Sequence, residues 1–246
     1  MSNSKDNLFA QKMSVSDFAF DEKVVPVFND MINRSVPGYA TIISMIAVLA
    51  ERYVQERSII YDLGCSLGAA TLAIDHQLTG KDRKIIAVDS SASMIGELER
   101  SLADSSVDSQ AIELRCEDIL ETDIYDASVI VLNFTLQFIP VQLRTDLLSK
   151  IFRGLKPGGI LLMSEKIEFP DPNLNALFIE MHHSFKQNKG YSALEISQKR
   201  TALENILVPE TIATHKKRLK DIGFDDIDVW FQCFNFASLV AFKKSN

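Results

Sequence analysis

Two kinds of hydrophobic pattern alternate along the chain. Ile59-Ile60-Tyr61-Asp62-Leu63, Ile85-Ile86-Ala87-Val88-Asp89, Ala127 to Phe134 and Ile160 to Glu165 are short, nearly continuous apolar runs, as expected of strands covered on both faces. Ala111-Ile112-Glu113-Leu114-Arg115 reads as a further strand. Between these runs, Ala69 to Leu78, a segment starting near Ser91-Ala92, and Gln142 to Leu155 carry helical periodicity, the last stopped by Lys156-Pro157-Gly158-Gly159. Strands alternating with helices predict an α/β fold with a doubly wound, mostly parallel sheet. Asp226 to Phe231 and Ala237 to Phe242 flank a short turn and predict a C-terminal antiparallel hairpin closing that sheet. Phe28 to Tyr53 predicts one or two helices with a bend at Ser35-Val36-Pro37-Gly38-Tyr39, and the first twenty residues read as loosely ordered. The whole of 1–246 is expected to be one domain, with a helical cap over 1–55 and a helical insertion over 166–215.

The strand ends carry the candidate chemistry. Tyr61-Asp62-Leu63-Gly64-Cys65-Ser66-Leu67-Gly68 reads as strand, glycine turn and helix start. In an open α/β sheet that crevice binds nucleotides, with glycine admitting close backbone approach. Ser66 stands where the dinucleotide fingerprint would place a second glycine, so a pyrophosphate is disfavoured and a nucleoside favoured. Asp89 ends the second strand, where an acid accepts from both ribose hydroxyls; the alternative is an exposed acid capping the helix that starts near Ser91. Asp118 with Ile119 suits an adenine, the acid accepting from the exocyclic amine and Ile119 covering the ring, or Asp118 is a solvated loop acid. Asn133 ends the fourth strand and suits the polar part of a ligand, and Tyr39 either reaches the site from its bend or packs.

Composition narrows the partners. The 246 residues are 46% hydrophobic and 24% charged, with 26 basic and 33 acidic side chains giving a formal charge of −7. No dense basic run appears, since Lys216-Lys217-Arg218 is short, so direct binding to a nucleic-acid backbone is not expected. Three scattered cysteines without a C-x-x-C pair fit a reduced, cytoplasmic setting. Cys65 reads as a small loop residue rather than a nucleophile, because no histidine stands near it in sequence. Four histidines show no metal-binding spacing, so no metal is expected. The apolar stretch Tyr39 to Ala50 is too short to span a bilayer, and no membrane association is expected. Leu174, Leu177, Phe178, Met181 and Phe185 form a stripe at helical spacing that reads as core packing, with a subunit contact as the alternative.

The Asp-Leu-Gly turn resembles that of Rossmann-like S-adenosylmethionine (SAM) methyltransferases, and the chain as a whole resembles the bacterial carboxy-S-adenosyl-L-methionine synthases. The resemblance rests on Arg34 to Tyr39, Tyr61 to Thr71, Leu132 to Phe138, Glu195 to Arg200 and Trp230 to Phe236. It implies a Rossmann-like SAM-methyltransferase fold with extra helices. The implied enzyme converts SAM and prephenate to carboxy-SAM and phenylpyruvate, supplying the donor for wobble-uridine carboxymethylation of tRNA. By the same resemblance Tyr39, Gly64, Cys65, Ser66, Asp89, Asp118, Ile119, Asn133 and Arg200 hold SAM or carboxy-SAM. Ser90 joins them as a departure, where some relatives are expected to carry Asn. Arg200 on spacing alone reads as a surface arginine; the resemblance makes it the residue that pairs with a substrate carboxylate, because a guanidinium matches a carboxylate and not a sulfonium. No acid–base catalyst stands out. A homodimer and a transient contact with the tRNA-modifying transferase are also implied. The alternatives are a methyltransferase acting on a small molecule or tRNA, and a non-catalytic SAM-binding partner.

Overall fold

The computed structural model describes residues 4–11, 21–104, 111–203 and 206–245. Seven strands form one sheet: β1 (Ile59–Leu63), β2 (Ile85–Asp89), β3 (Ile112–Cys116), β4 (Ala127–Asn133), β5 (Leu155–Lys166), β6 (Asp225–Cys233) and β7 (Phe236–Phe242). Their order is β3-β2-β1-β4-β5-β7-β6. The first five run parallel, and β7 lies antiparallel between β5 and β6. The expected hairpin therefore closes the sheet by inserting its second strand next to β5.

Side-chain alternation divides the core into two layers. Tyr61, Leu63, Ile130, Leu132, Leu161 and Met163 face one way, against Leu147, Leu148 and Ile151 of α5 (Val141–Gly154) and Leu219 of α8 (Ile212–Ile222). Ile60, Val129, Val131, Ile160 and Leu162 face the other way. They meet Ile42, Ile46 and Ala50 of α2 (Tyr39–Tyr53), Ala70 and Ile74 of α3 (Ala69–Gln77) and Leu98 of α4 (Ala92–Ala103). Successive strand residues point to opposite faces, so continuous apolar runs are what a sheet sandwiched between helices needs. α2, the apolar stretch of the sequence, is one of these covering helices. Among the described residues no single helix is long and apolar enough to cross a membrane.

Three expectations change. Lys156-Pro157-Gly158-Gly159 is part of β5 rather than a stop before it, because Gly158 N–H donates to Lys243 O at 2.7 Å and Lys243 N–H to Gly159 O at 2.9 Å. The register against β4 shifts there, and Pro157 is tolerated at that bulge. The first residues are not all loose: Asp6 is 1% exposed and tied to Asp30, Tyr191 and Lys199. The rest of that expectation, over 12–20, lies outside the described residues. The stripe on α6 (Pro172–Asn188) is not core either. Leu174, Leu177 and Met181 are 47%, 46% and 39% exposed, while the buried residues of that helix are His182 and Lys186.

The helix α1 (Phe28–Ser35) packs across the glycine loop, with Phe28 and Met31 meeting Leu67 and Met94. It touches α6, which in turn touches α7 (Ala193–Leu203). These three helices stand over the carboxyl ends of the strands and roof the space described next.

Candidate functional site

A cavity of about 750 Å³ opens where the strand order reverses, between β1 and β4. This switch point is where open α/β sheets bind ligands, and the volume lies in the upper part of the range of ligand pockets, about 300–1,000 Å³. Its floor comes from the strand ends. Gly64 has φ +80°, and a Cβ there would lie 2.4 Å from Thr135 Cγ2, so glycine is required by the close approach of the loop after β4. Gly64 and Cys65 N–H both donate to Val88 O, at 2.8 and 2.9 Å, which fixes the loop to β2. Ser66, with φ +51°, occupies the left-handed region that favours glycine. Its N–H donates to Asp89 Oδ2 at 2.8 Å, a bond that offsets the strain. Phe134, with φ +62°, is the other strained residue on the cavity wall; strain of this kind clusters at functional sites.

The floor acids sit in different environments. Asp62 is 1% exposed and accepts from Thr71 N–H at 3.0 Å and Thr71 Oγ1 at 2.6 Å; burial nevertheless pushes its carboxyl up to about 6. Burial likewise raises Asp89, against the lowering effect of its bonds to Ser91 and Ser66 N–H. Capping the following helix falls to Ser91, whose hydroxyl accepts from Met94 N–H, so Asp89 is free of that duty. Asp118 is exposed and accepts from Leu120 N–H at 2.8 Å, with Ile119 buried beside it. Asn133 Oδ1 is buried and has no partner among the described residues. Burial raises the Cys65 thiol well above its ordinary value, which leaves it neutral and unreactive.

The roof is cationic. Along α6, Ile179, His182, His183 and Lys186 line the cavity, and Lys166 at the end of β5 and Lys199 and Arg200 on α7 join them. Burial pushes Lys186 down to about 7 and Lys199 down to about 8, and lowers Lys166; repulsion from Lys199, Lys166 and Arg200 adds to the shift of Lys186, from Arg200 to that of Lys166 and from Arg34 to that of Lys199. Lys199 Nζ donates to Ser35 Oγ at 2.9 Å and pairs with Asp6 at 3.6 Å. His182 donates from Nε2 to Ser35 O at 2.8 Å, and burial holds it near 3, hence neutral. Arg34 anchors this corner, donating to Lys189 O, Asp6 O and Asp30 Oδ2 and lying 3.8 Å over the Tyr191 ring. Between floor and roof, Tyr39, Phe134, Phe236 and His182 form a chain of ring contacts 4.8–6.4 Å apart.

Tyr39, Gly64, Cys65, Ser66, Asp89, Ser90, Asp118, Ile119, Asn133 and Arg200 all line this one cavity. Tyr39 is half-buried, and burial raises its phenol well above the usual range. Arg200 reaches the cavity of its own chain and is exposed at its edge. Sequence reading missed Lys166, Lys186, Lys199 and Asn235. A signal for the lysine on α6 was present: Ile179, His182, His183 and Lys186 recur at helical spacing opposite the apolar stripe. Taking the apolar side as the buried one hid them. Among the described residues no group of His, Cys, Asp and Glu is placed to hold a metal.

Residues 60–159 match the family model for a methyltransferase domain. The carboxy-S-adenosyl-L-methionine synthase of Geobacter sp. (strain M21) is 54% identical over 244 residues, covering 99% of this chain and all of the relative. The protein of the same name from Trichlorobacter lovleyi is also 54% identical, with the same coverage. Human N-acetylserotonin methyltransferase, solved in complex with SAM, superposes with a TM-score of 0.61 at 15% identity, over 92% of this chain and 56% of that one. At that identity the likeness is one of fold, which is the fold of SAM methyltransferases.

Proposed function

The chain belongs to the carboxy-S-adenosyl-L-methionine synthase family, and from that premise we propose how its cavity performs the reaction. It is a transferase that binds SAM and forms carboxy-SAM. The carboxyl group comes from prephenate, which leaves as phenylpyruvate. Prephenate loses its ring carboxylate as carbon dioxide and its hydroxyl as hydroxide; the hydroxide takes one methyl proton to give water, and the carbon dioxide bonds to that carbon. The observation that carries this reading is a single cavity with acids on one wall and cations on the other. A methyl transfer from a sulfonium gains nothing from cations nearby, whereas a carboxylated product and a dianionic substrate do.

The residues fit SAM. Gly64 to Ser66 give backbone approach, Asp89 has lone pairs left for ribose hydroxyls, Asp118 with Ile119 takes the adenine, and the unpartnered Asn133 Oδ1 can accept from the ligand's ammonium. Tyr39 and Ser90 complete this set, and Arg200 takes the new carboxylate. Neither a nucleophile nor a strong base is needed from the protein, and Cys65 and His182 are both held out of that chemistry, the thiol by its raised pKa and the imidazole by its bond to Ser35 O. The chain supplies proximity and exclusion of water, for which 1–55 acts as a cap and 166–215 as an insertion. The product serves wobble-uridine carboxymethylation of tRNA in the cytoplasm, through transient contact with the tRNA-modifying transferase. A homodimer would cover the exposed Leu174, Leu177 and Met181.

The direct test is the mass of the small molecule released when the purified protein is denatured. An adenosyl compound heavier than SAM by one carbon dioxide is expected. Finding only SAM or its demethylated form would return a methyltransferase to first place.

A further inference from the structure

Lys166 and Lys186 face the same cavity from different elements, and among the described residues neither ammonium has a hydrogen-bond acceptor or an ion-pair partner. Lys186 is 7% exposed. Placing an unpaired ammonium in such a position is costly and persists where a ligand supplies the missing charge. The neighbours add to the cost rather than relieve it. Lys166, Lys199 and Arg200 all repel Lys186, and His182 and His183 on its own helix are uncharged. Among the described residues, only Lys199 of these cations has a carboxylate partner, Asp6. Beside Lys166, in the turn between β6 and β7, Asn235 is 2% exposed, lines the cavity, and leaves Oδ1 without a partner among the described residues. A chain of net charge −7 thus concentrates unneutralised cations and an orphaned amide at one wall of one cavity.

We propose that Lys166 and Lys186 form the subsite for the dicarboxylate substrate, each receiving a carboxylate oxygen, while Asn235 accepts from its hydroxyl. The inference rests on the prephenate reading above and deepens it, since it separates the residues that hold the second substrate from those that hold SAM. The occupant is a small dianion bearing a hydroxyl group. Its arrival supplies the counter-charge that the roof lacks.

The test uses the full chain loaded with S-adenosylhomocysteine, with prephenate titrated calorimetrically into the wild type and Lys186→Met. Lys186→Met is expected to weaken prephenate by ~20-fold or more, as loss of a charge-assisted bond would. In turnover it should raise KM for prephenate with kcat changed by less than about threefold. Its affinity for SAM should stay within about twofold, and its melting temperature should be unchanged or higher, because an unpaired buried charge has been removed. A merely structural lysine would instead lower the melting temperature and leave KM alone, which overturns the proposal. Wild-type affinity should also decline as pH rises above about 7, where free Lys186 loses its proton, and Lys186→Met should flatten that decline. Equal prephenate affinity in the two proteins sinks the subsite. If the wild type ignores prephenate but binds malonate in a Lys186-dependent way, the subsite stands and the prephenate reading falls. Binding of neither dianion overturns the subsite itself.

Discussion

The wall of the cavity supplied by the ends of β1 and β2 is acidic and bonded to protein donors, whereas the wall supplied by α6 and α7, joined by Lys166 at the end of β5, is cationic and short of partners. Asp62 and Asp89 each accept two hydrogen bonds from protein groups. Lys166 and Lys186, among the described residues, pair with none. The difference teaches what each wall is for. The floor, with its glycine loop and bonded acids, is the part shared with the general SAM-methyltransferase fold, and on the proposed reading it is a pre-organised nucleoside cradle. The roof carries cations without counter-charges among the described residues, and on the proposed reading an incoming carboxylate supplies them and separates this chemistry from methyl transfer.

The largest expected effect comes from breaking the floor. Asp89→Ala removes the bonds to Ser66 and Ser91 N–H and, on the proposed reading, the ribose contact. At about 1.5–3 kcal/mol for a charge-assisted bond, SAM affinity should fall on the order of 10²-fold or more by calorimetry. Arg200→Ala should act on the other wall alone. Carboxy-SAM affinity is expected to drop by roughly 10²-fold while SAM affinity stays within about threefold. Equal loss for both ligands would mean that the walls are not divided as described.

The same division decided what could be read from the sequence. β1, β2 and β4 announce themselves because both faces are buried, and cavity-lining residues follow directly at their ends, so strand logic alone brings Gly64, Asp89 and Asn133 to the cavity. Arg200 was legible only through resemblance, since its spacing is that of an ordinary surface arginine. Lys166 and Lys186 were not legible. On α6 the cavity inverts the usual rule, putting Lys186 inside and Leu174, Leu177 and Met181 outside. Lys166 ends a strand whose start was itself misplaced, because the pairing of Gly158 and Gly159 with Lys243 is long-range and no local pattern signals it. Asp6, whose partners are Asp30, Tyr191 and Lys199, is a similar case.

Stability against pH gives a smaller test, with opposite signs for the two walls. Asp62 is raised from 3.8 to about 6 by burial, so the folded state holds its proton more tightly; this stabilises fully below 3.8 and is lost as pH rises through about 6. His182 is depressed from 6.5 to about 3, so its contribution is full above 6.5 and lost as pH falls toward about 3. At about 1.4 kcal/mol per pKa unit, these shifts correspond to at most about 3 kcal/mol for Asp62 and about 5 kcal/mol for His182. In chemical denaturation, Asp62→Asn should remove the loss on going from 3.8 to about 6, and His182→Phe the loss on acidification below 6.5. The smallest effect is expected for Ser66→Gly. Relief of its left-handed backbone, about 1–2 kcal/mol, is largely offset by the entropy of glycine, about 0.5–1 kcal/mol. The melting temperature should rise by no more than about 3 °C.

The central claim is that this cavity moves a carboxyl group from prephenate onto SAM. Prephenate labelled with ¹³C at its ring carboxylate, incubated with SAM and the enzyme, tests it by mass spectrometry of the adenosyl product. The account predicts carboxy-SAM carrying the label together with unlabelled phenylpyruvate. Carboxy-SAM without the label, or S-adenosylhomocysteine as the only adenosyl product, would contradict it.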